Sequence, residues 1–126
     1  WGEGRPQVSD SRVAGWWYGP ELGATLPDGA TITLARIYLP ATQTMYAPPV
    51  AQAFDGPPPS SAGVGAQVQL GGHDGWQDLP IPVAEQLRTG SRGVKLTRPG
   101  GDTGTWDIYQ ALSTDPMSGA LDIAWR

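Results

Sequence analysis

The sequence predicts an all-β fold, a jelly-roll-like antiparallel β-sandwich with one short helix. Short apolar segments alternate along the chain with turn residues, among them 18 glycines and 13 prolines. Six tryptophans and four tyrosines supply large apolar side chains, in which a disordered chain would be poor. The 126 residues predict a single domain over 1–126, since domains commonly contain about 100–150 residues.

Six segments carry strand patterns: 12–19, 30–40, 65–72, 92–98, 105–112 and 120–126. The clearest is "ATITLARIYLP" (30–40), which places Ile32, Leu34 and Tyr38 on one face. Its other face is also apolar, as in a strand inside a sandwich. Alternation along these strands predicts one core, made of Ile32, Leu34, Val94, Leu96, Ile108, Ile123 and Trp125.

The segment "IPVAEQLRTG" predicts the helix, near residues 82–89. Pro82 suits its first turn, Val83 and Leu87 lie four apart on one face, and Gly90 suits its end. By contrast, the segment 47–63 contains five prolines. Proline fixes φ and removes a backbone donor, so this segment is expected to be an extended surface loop.

Charge and composition argue against several classes of partner. Lys+Arg 8 against Asp+Glu 12 gives a net charge of −4, which disfavours nucleic acid. No apolar run reaches the roughly 18–20 residues of a membrane span, so membrane insertion is not expected. The absence of cysteine excludes disulfides and thiolate metal sites. Because the chain begins at Trp1, we expect it to be the C-terminal fragment of a longer protein.

The residues do not form a recognisable catalytic motif. His73 is the only histidine, no nucleophile motif accompanies it, and no two carboxylates are paired by the sequence. A non-enzymatic protein without a cofactor is therefore expected. Calcium bound through Asp74, Asp78 or Asp102 remains an alternative, although no loop has the EF-hand pattern.

The aromatic residues carry the stronger functional signal. Trp16, Trp17 and Tyr18 are consecutive, so in a strand Trp17 must point away from the other two. An exposed aromatic ring serves either as a subunit contact or as a platform for a sugar, whose C–H face stacks on it while polar groups bind its hydroxyls. The candidate ligand-binding residues are Trp76, His73, Asp74, Gln77, Tyr46 and Trp17. The alternative for "GGHDGWQDLP" (71–80) is a corner ahead of the helix, in which Trp76 and Leu79 pack.

The order of segments resembles that of a known family. "GWWYG", "LPDGATITLARIYLP", a Pro-rich segment, "GWQDLP", "VAEQLRTGSRGVKL" and "SGALDIAWR" follow one another as in the C-terminal domains of minor tail proteins from tailed phages of actinobacteria. More loosely, the chain is similar to galactose-binding-like jelly rolls such as the DNRLRE-type carbohydrate-binding modules. The resemblance covers residues 12–126 and depends on hydrophobic and turn signatures.

The resemblance implies a receptor-binding domain in the distal tail, or tail fibre, of a virion. It would be presented outside the cell as a homotrimer and bind a host cell-wall glycan or another surface receptor. Apolar residues on both faces of 30–40, with the aromatic cluster at 16–18, also favour association. The alternative is a purely structural virion module without a ligand, either a trimerising fibre cap or a capsid decoration protein.

Overall fold

The computed structural model is built of antiparallel β-sheets with two short helices, which confirms the all-β sandwich. The structure describes residues 7–8, 14–43, 48–57, 62–97 and 107–126. In these ranges the strands are β1 (Gln7–Val8), β2 (Ala14–Gly19), β3 (Ile32–Leu39), β4 (Ala41–Gln43), β5 (Val50–Asp55), β6 (Ala62–Gln69), β7 (Gly75–Asp78), β8 (Arg92–Thr97), β9 (Asp107–Tyr109) and β10 (Leu121–Trp125). The helices are α1 (Glu21–Thr25) and α2 (Ile81–Gln86). The jelly-roll strand order remains a prediction.

The strands form three sheets, with orders β2-β8-β5-β6, β10-β3-β7 and β1-β9-β4. One hydrophobic cluster joins them, because every sheet contributes buried side chains to it and α2 adds Val83 and Ala84. The other fully buried members include Ile37, Leu39, Ala51, Ala53, Val94, Leu96 and Tyr109. A shared core of this kind orients one face of each large sheet inward and leaves the other face toward solvent.

All six predicted strands are present, with bounds that differ by a few residues, and the helix α2 begins at Ile81 with Pro82 in its first turn. α1 was not predicted. It has only five residues and no side-chain cap, and five residues are too few to show an amphipathic period.

The prediction of a surface loop over 47–63 is wrong at 50–55 and 62–63, which are strand residues of β5 and β6. Its prolines lie outside 50–55, so every residue of β5 keeps its backbone N–H, and β5 pairs on one side with β8 and on the other with β6. Ala51, Ala53 and Phe54 are completely buried. The flanking prolines and the two alanines gave this segment little of the pattern of a hydrophobic strand.

The predicted core is wrong at Leu34 and Trp125, which are 43% and 47% exposed, while Ile32 is buried. The register explains the difference. Ala124 lies opposite Leu34, but Trp125 lies opposite Ile32, so Thr33 is an extra residue in β3. This bulge reverses the alternation, because two residues of one strand oppose one residue of the other.

Beyond the bulge, alternation is regular: Ala35, Ile37 and Leu39 are buried, and the residues between them face outward. Val94 and Leu96 lie in the core as predicted, whereas Ile108 and Ile123 are only partly buried. The phase of β3 therefore decides which of its side chains are available on the surface.

Two leucines on β3 test this phase. We expect Leu39→Ala to lower the free energy of unfolding by about 2–5 kcal/mol, because it opens a cavity in the core. The matched change Leu34→Ala should cost less than about 1 kcal/mol, because Leu34 is half exposed. Urea unfolding of both variants measures the difference, and equal losses would contradict the bulge at Thr33.

Candidate functional site

The outward side of the sheet β10-β3-β7 carries the strongest cluster of functional side chains. The pleat of β3 directs Arg36 and Tyr38 away from the core, and register places them beside residues of both neighbouring strands. Arg36 lies between Asp122 and Asp78, and Tyr38 lies beside Trp76. We call this surface the outer face; it consists of Leu34, Arg36, Tyr38, Trp76, Asp78 and Asp122.

Trp76 lies on the edge strand β7 and is 38% exposed. Its ring centroid is 5.3 Å from that of Tyr38, with 56° between the planes. The guanidinium carbon of Arg36 lies 5.1 Å from the Trp76 ring centroid, within the range of a cation–π contact. Two neighbours therefore orient the indole, and more than a third of its surface remains open to a ligand.

The charges on the outer face are arranged in one row across the sheet. Arg36 donates from Nε to Asp122 Oδ2 at 3.2 Å, and its Nη2 forms an ion pair with the same oxygen. Asp78 lies on the other side of Arg36 and is exposed. Within the described residues no hydrogen bond or ion pair engages its carboxylate. Two carboxylates and one guanidinium give the row a formal charge of −1.

The other residues predicted around Trp76 are placed differently. Asp74 Oδ1 accepts a hydrogen bond from the backbone N–H of Ala41 at 3.0 Å, and Gln77 Nε2 donates to the Asp74 carbonyl at 2.5 Å. Gln77 lies opposite the buried Ile37, so it points to the other side of the sheet from Trp76. These contacts brace the corner that leads into β7.

His73 is half buried in the bend just before this corner. Leu79 packs in the core, as the corner interpretation predicted, but Gly75–Asp78 is a strand and its Trp76 faces outward. The structure therefore brings Trp76 together with Tyr38 and Arg36 rather than with Gln77.

The two remaining candidate residues lie away from the outer face. Trp17 is 43% exposed on β2, in the four-stranded sheet, while Trp16 is buried, so the predicted alternation is confirmed. A Cβ atom at Gly56 would overlap the Trp17 indole, which shows how closely that ring lies on the backbone. Tyr46 lies outside the described residues.

Sequence reasoning missed Arg36, Tyr38 and Asp122 as site residues. It did place Leu34 and Tyr38 on one face of β3, and that relation is correct. The face was assigned to the core because Ile32 was assumed to share it. In the sequence, Arg36 stands two positions from both Leu34 and Tyr38, so it lies on the same face of the strand. A charged residue on that face indicated that it points to solvent.

The described residues contain no group of three or more His, Cys, Asp or Glu side chains that could hold a metal ion. Asp102, one of the three predicted calcium ligands, lies outside those ranges. No helix in the described part of the chain is long and apolar enough to cross a membrane. No protein-family model, curated protein or solved structure matches this chain.

A concavity of about 290 Å³ lies between α1 and the inward side of β10, apart from the outer face. Its lining residues are Tyr18, Glu21, Leu22, Thr25, Leu121 and Ile123. The two hydroxyls are used internally, since Tyr18 donates to the Gly119 carbonyl at 2.5 Å and Thr25 to the Glu21 carbonyl at 2.8 Å. With both hydroxyls bonded, the Glu21 carboxylate is the polar side chain that the lining of this groove offers to a sugar, and no cationic donor stands beside it in the lining as Arg36 does on the outer face.

Tyr18 links this groove to the stability of the domain. Burial raises the pKa of the Tyr18 phenol well above its ordinary value, because the charged phenolate would lose its hydration. The native state therefore retains a proton that the unfolded state releases above about pH 10. The stabilisation is complete below that pH and is lost as the pH rises further.

The variant Tyr18→Phe tests this contact. At pH 7 we expect the free energy of unfolding to fall by about 0.5–1.5 kcal/mol, because the Gly119 carbonyl loses its donor. Between pH 10 and pH 11 the variant should lose stability less steeply than the wild type. Urea unfolding at several pH values measures both effects, and identical alkaline slopes would contradict the role assigned to this phenol.

Proposed function

We propose that this domain is a non-enzymatic glycan-binding domain and that a sugar ring stacks on Trp76 of the outer face. The observation that carries the proposal is an exposed indole that contacts two neighbours, Tyr38 at 5.3 Å between ring centroids and Arg36 at 5.1 Å, with carboxylates in the adjacent row. A sugar has an apolar C–H face and a rim of hydroxyls. It therefore needs an aromatic platform next to polar groups.

The polar groups next to Trp76 suit that rim. Asp78 offers carboxylate oxygens that accept hydrogen bonds from hydroxyls. Arg36 uses Nε and Nη2 on Asp122, and within the described residues no other acceptor engages its remaining N–H groups. The outer face thus supplies both acceptors and donors beside one ring.

The backbone supports affinity as well. Trp76, Arg36 and Asp122 lie on three hydrogen-bonded strands rather than on loops. The ion pair and the ring contacts hold their side chains before any ligand arrives. A site that is ordered in advance loses less conformational entropy on binding.

The resemblance to minor tail proteins of actinobacteriophages extends the proposal to a biological setting. We propose that the domain lies at the distal tail of a virion, as part of a homotrimer, and that its ligand is a cell-wall glycan of the host. The exposed sheet face and its aromatic platform are compatible with that role.

A structural virion module without a ligand is the second candidate function. The exposure of large apolar side chains elsewhere favours it, because rings such as Trp17 and Trp125 are typical of surfaces that subunits bury. In that case Trp76 would be one more contact between chains.

The substitution Trp76→Ala tests the proposed function. We expect the affinity for the best ligand on a glycan array, and for isolated actinobacterial cell wall, to fall at least about tenfold, which corresponds to ~1.4 kcal/mol. The melting temperature should fall no further than in a control that removes a similarly exposed indole, because Trp76 is 38% exposed. Trp17→Ala is the matched control, since it removes a similarly exposed indole from the other large sheet.

The two variants also separate the alternatives. Loss of binding in Trp17→Ala but not in Trp76→Ala would move the site to the four-stranded sheet and contradict the proposal. A wild-type protein that binds no glycan or cell wall, yet sediments as a stable trimer, would favour the structural module.

A further inference from the structure

We infer that Asp78 makes the outer face selective for glycans without acidic groups, so that its ligands are uncharged or amino-bearing sugars. This inference rests on the proposed function and specifies the class of its ligand. It depends on the unequal positions of the two carboxylates in the row across the sheet.

The negative charge of Asp122 is compensated by Arg36. Its Oδ2 accepts hydrogen bonds from both Nε and Nη2 of Arg36. The guanidinium carbon of Arg36 also lies 5.1 Å from the Trp76 ring centroid. Arg36 is therefore engaged on one side by a carboxylate and on another by an indole. Because Asp122 already neutralises the charge of Arg36, an acidic ligand group gains little net Coulomb attraction there, while the remaining N–H groups of Arg36 can still donate to a hydroxyl.

By contrast, no ion pair of the described residues includes Asp78 or compensates its negative charge. The carboxylate is exposed. Arg36 is its cross-strand neighbour, but the Arg36 ion pair is directed to Asp122 on the opposite strand. The negative charge of the row therefore resides mainly on Asp78.

Asp78 is also close enough to Trp76 to contact a sugar that stacks on the indole. Asp78 follows Trp76 by two residues on β7, so the two side chains share a face and their Cα atoms are about 7 Å apart. A sugar ring on the indole would have its rim beside this carboxylate. Hydroxyl and ammonium groups donate to a carboxylate, whereas a uronate, sulfate or phosphate group is repelled by it.

The variant Asp78→Asn tests the inference, because it removes the charge and keeps the shape. Wild-type protein is applied to an array that carries uncharged, amino-bearing, uronate and phosphate glycans. We expect its ligands to lack acidic groups. Asp78→Asn should weaken the best of them roughly three- to tenfold and reduce the discrimination against acidic glycans.

Glu21→Gln is the matched control for net charge. It removes one exposed negative charge on α1, beside the groove on the inward side of β10 and away from the outer face. We expect it to leave the selectivity unchanged. In the wild type, raising the salt concentration should reduce the discrimination, because salt screens exposed charges.

Three results would overturn the inference. The first is a wild-type preference for uronate or phosphate glycans. The second is equal behaviour of Asp78→Asn and Glu21→Gln while Trp76→Ala still abolishes binding; this would leave the proposed function intact. The third is the absence of any wild-type ligand, which would overturn the proposed function as well.

Discussion

The pleat of the central strand β3 is the constraint on which the rest of the structure depends. β3 is hydrogen-bonded to β10 on one side and to β7 on the other, so its phase also sets the phase of both neighbours. With Ala35, Ile37 and Leu39 in the core, the row Asp122, Arg36, Asp78 and the pair Tyr38, Trp76 must lie together outside. The same hydrophobic burial that stabilises the sandwich thus assembles the candidate site.

A second constraint holds β10 in its position. Trp16 Nε1 donates to the Ser118 hydroxyl at 3.1 Å, and the Tyr18 hydroxyl donates to the Gly119 carbonyl. Gly119 has a φ of +74°, and a Cβ there would overlap the Trp16 indole. β2 therefore anchors the turn that begins β10, and the four-stranded sheet is connected to the sheet that carries the outer face. Asp122, three residues after Gly119, depends on this connection for its place beside Arg36.

The sequence predicts more of the fold than of the site. Alternation and turn residues identified the all-β class, a helix near 82–89, which the structure places at Ile81–Gln86, and the opposite orientations of Trp16 and Trp17. They failed at Thr33, because a bulge is a property of strand pairing and leaves no periodic signal of its own. They failed again at β5, where prolines on both sides obscured a buried strand of small residues.

The candidate site was predicted only in part, for the same physical reason. Trp76 was recognised because an aromatic ring beside turn residues is visible along the chain. Its actual neighbours, Tyr38, Arg36 and Asp122, are 38, 40 and 46 positions away in the sequence and meet it only through strand register. Gln77, its neighbour in the chain, is directed to the opposite side by the pleat.

The most direct test of the glycan site is an NMR titration of the domain with the neutral or amino-bearing glycan that it binds best. The chain has six tryptophans, whose indole N–H resonances report separately on the surfaces that carry them. A glycan bound on the outer face should shift the resonances of the Trp76 indole and of the backbone amides of Arg36, Tyr38 and Asp122, while those of Trp16 and Trp17 stay unchanged. Shifts confined to Trp17, or to Leu22 and Ile123 around the apolar groove, would contradict it.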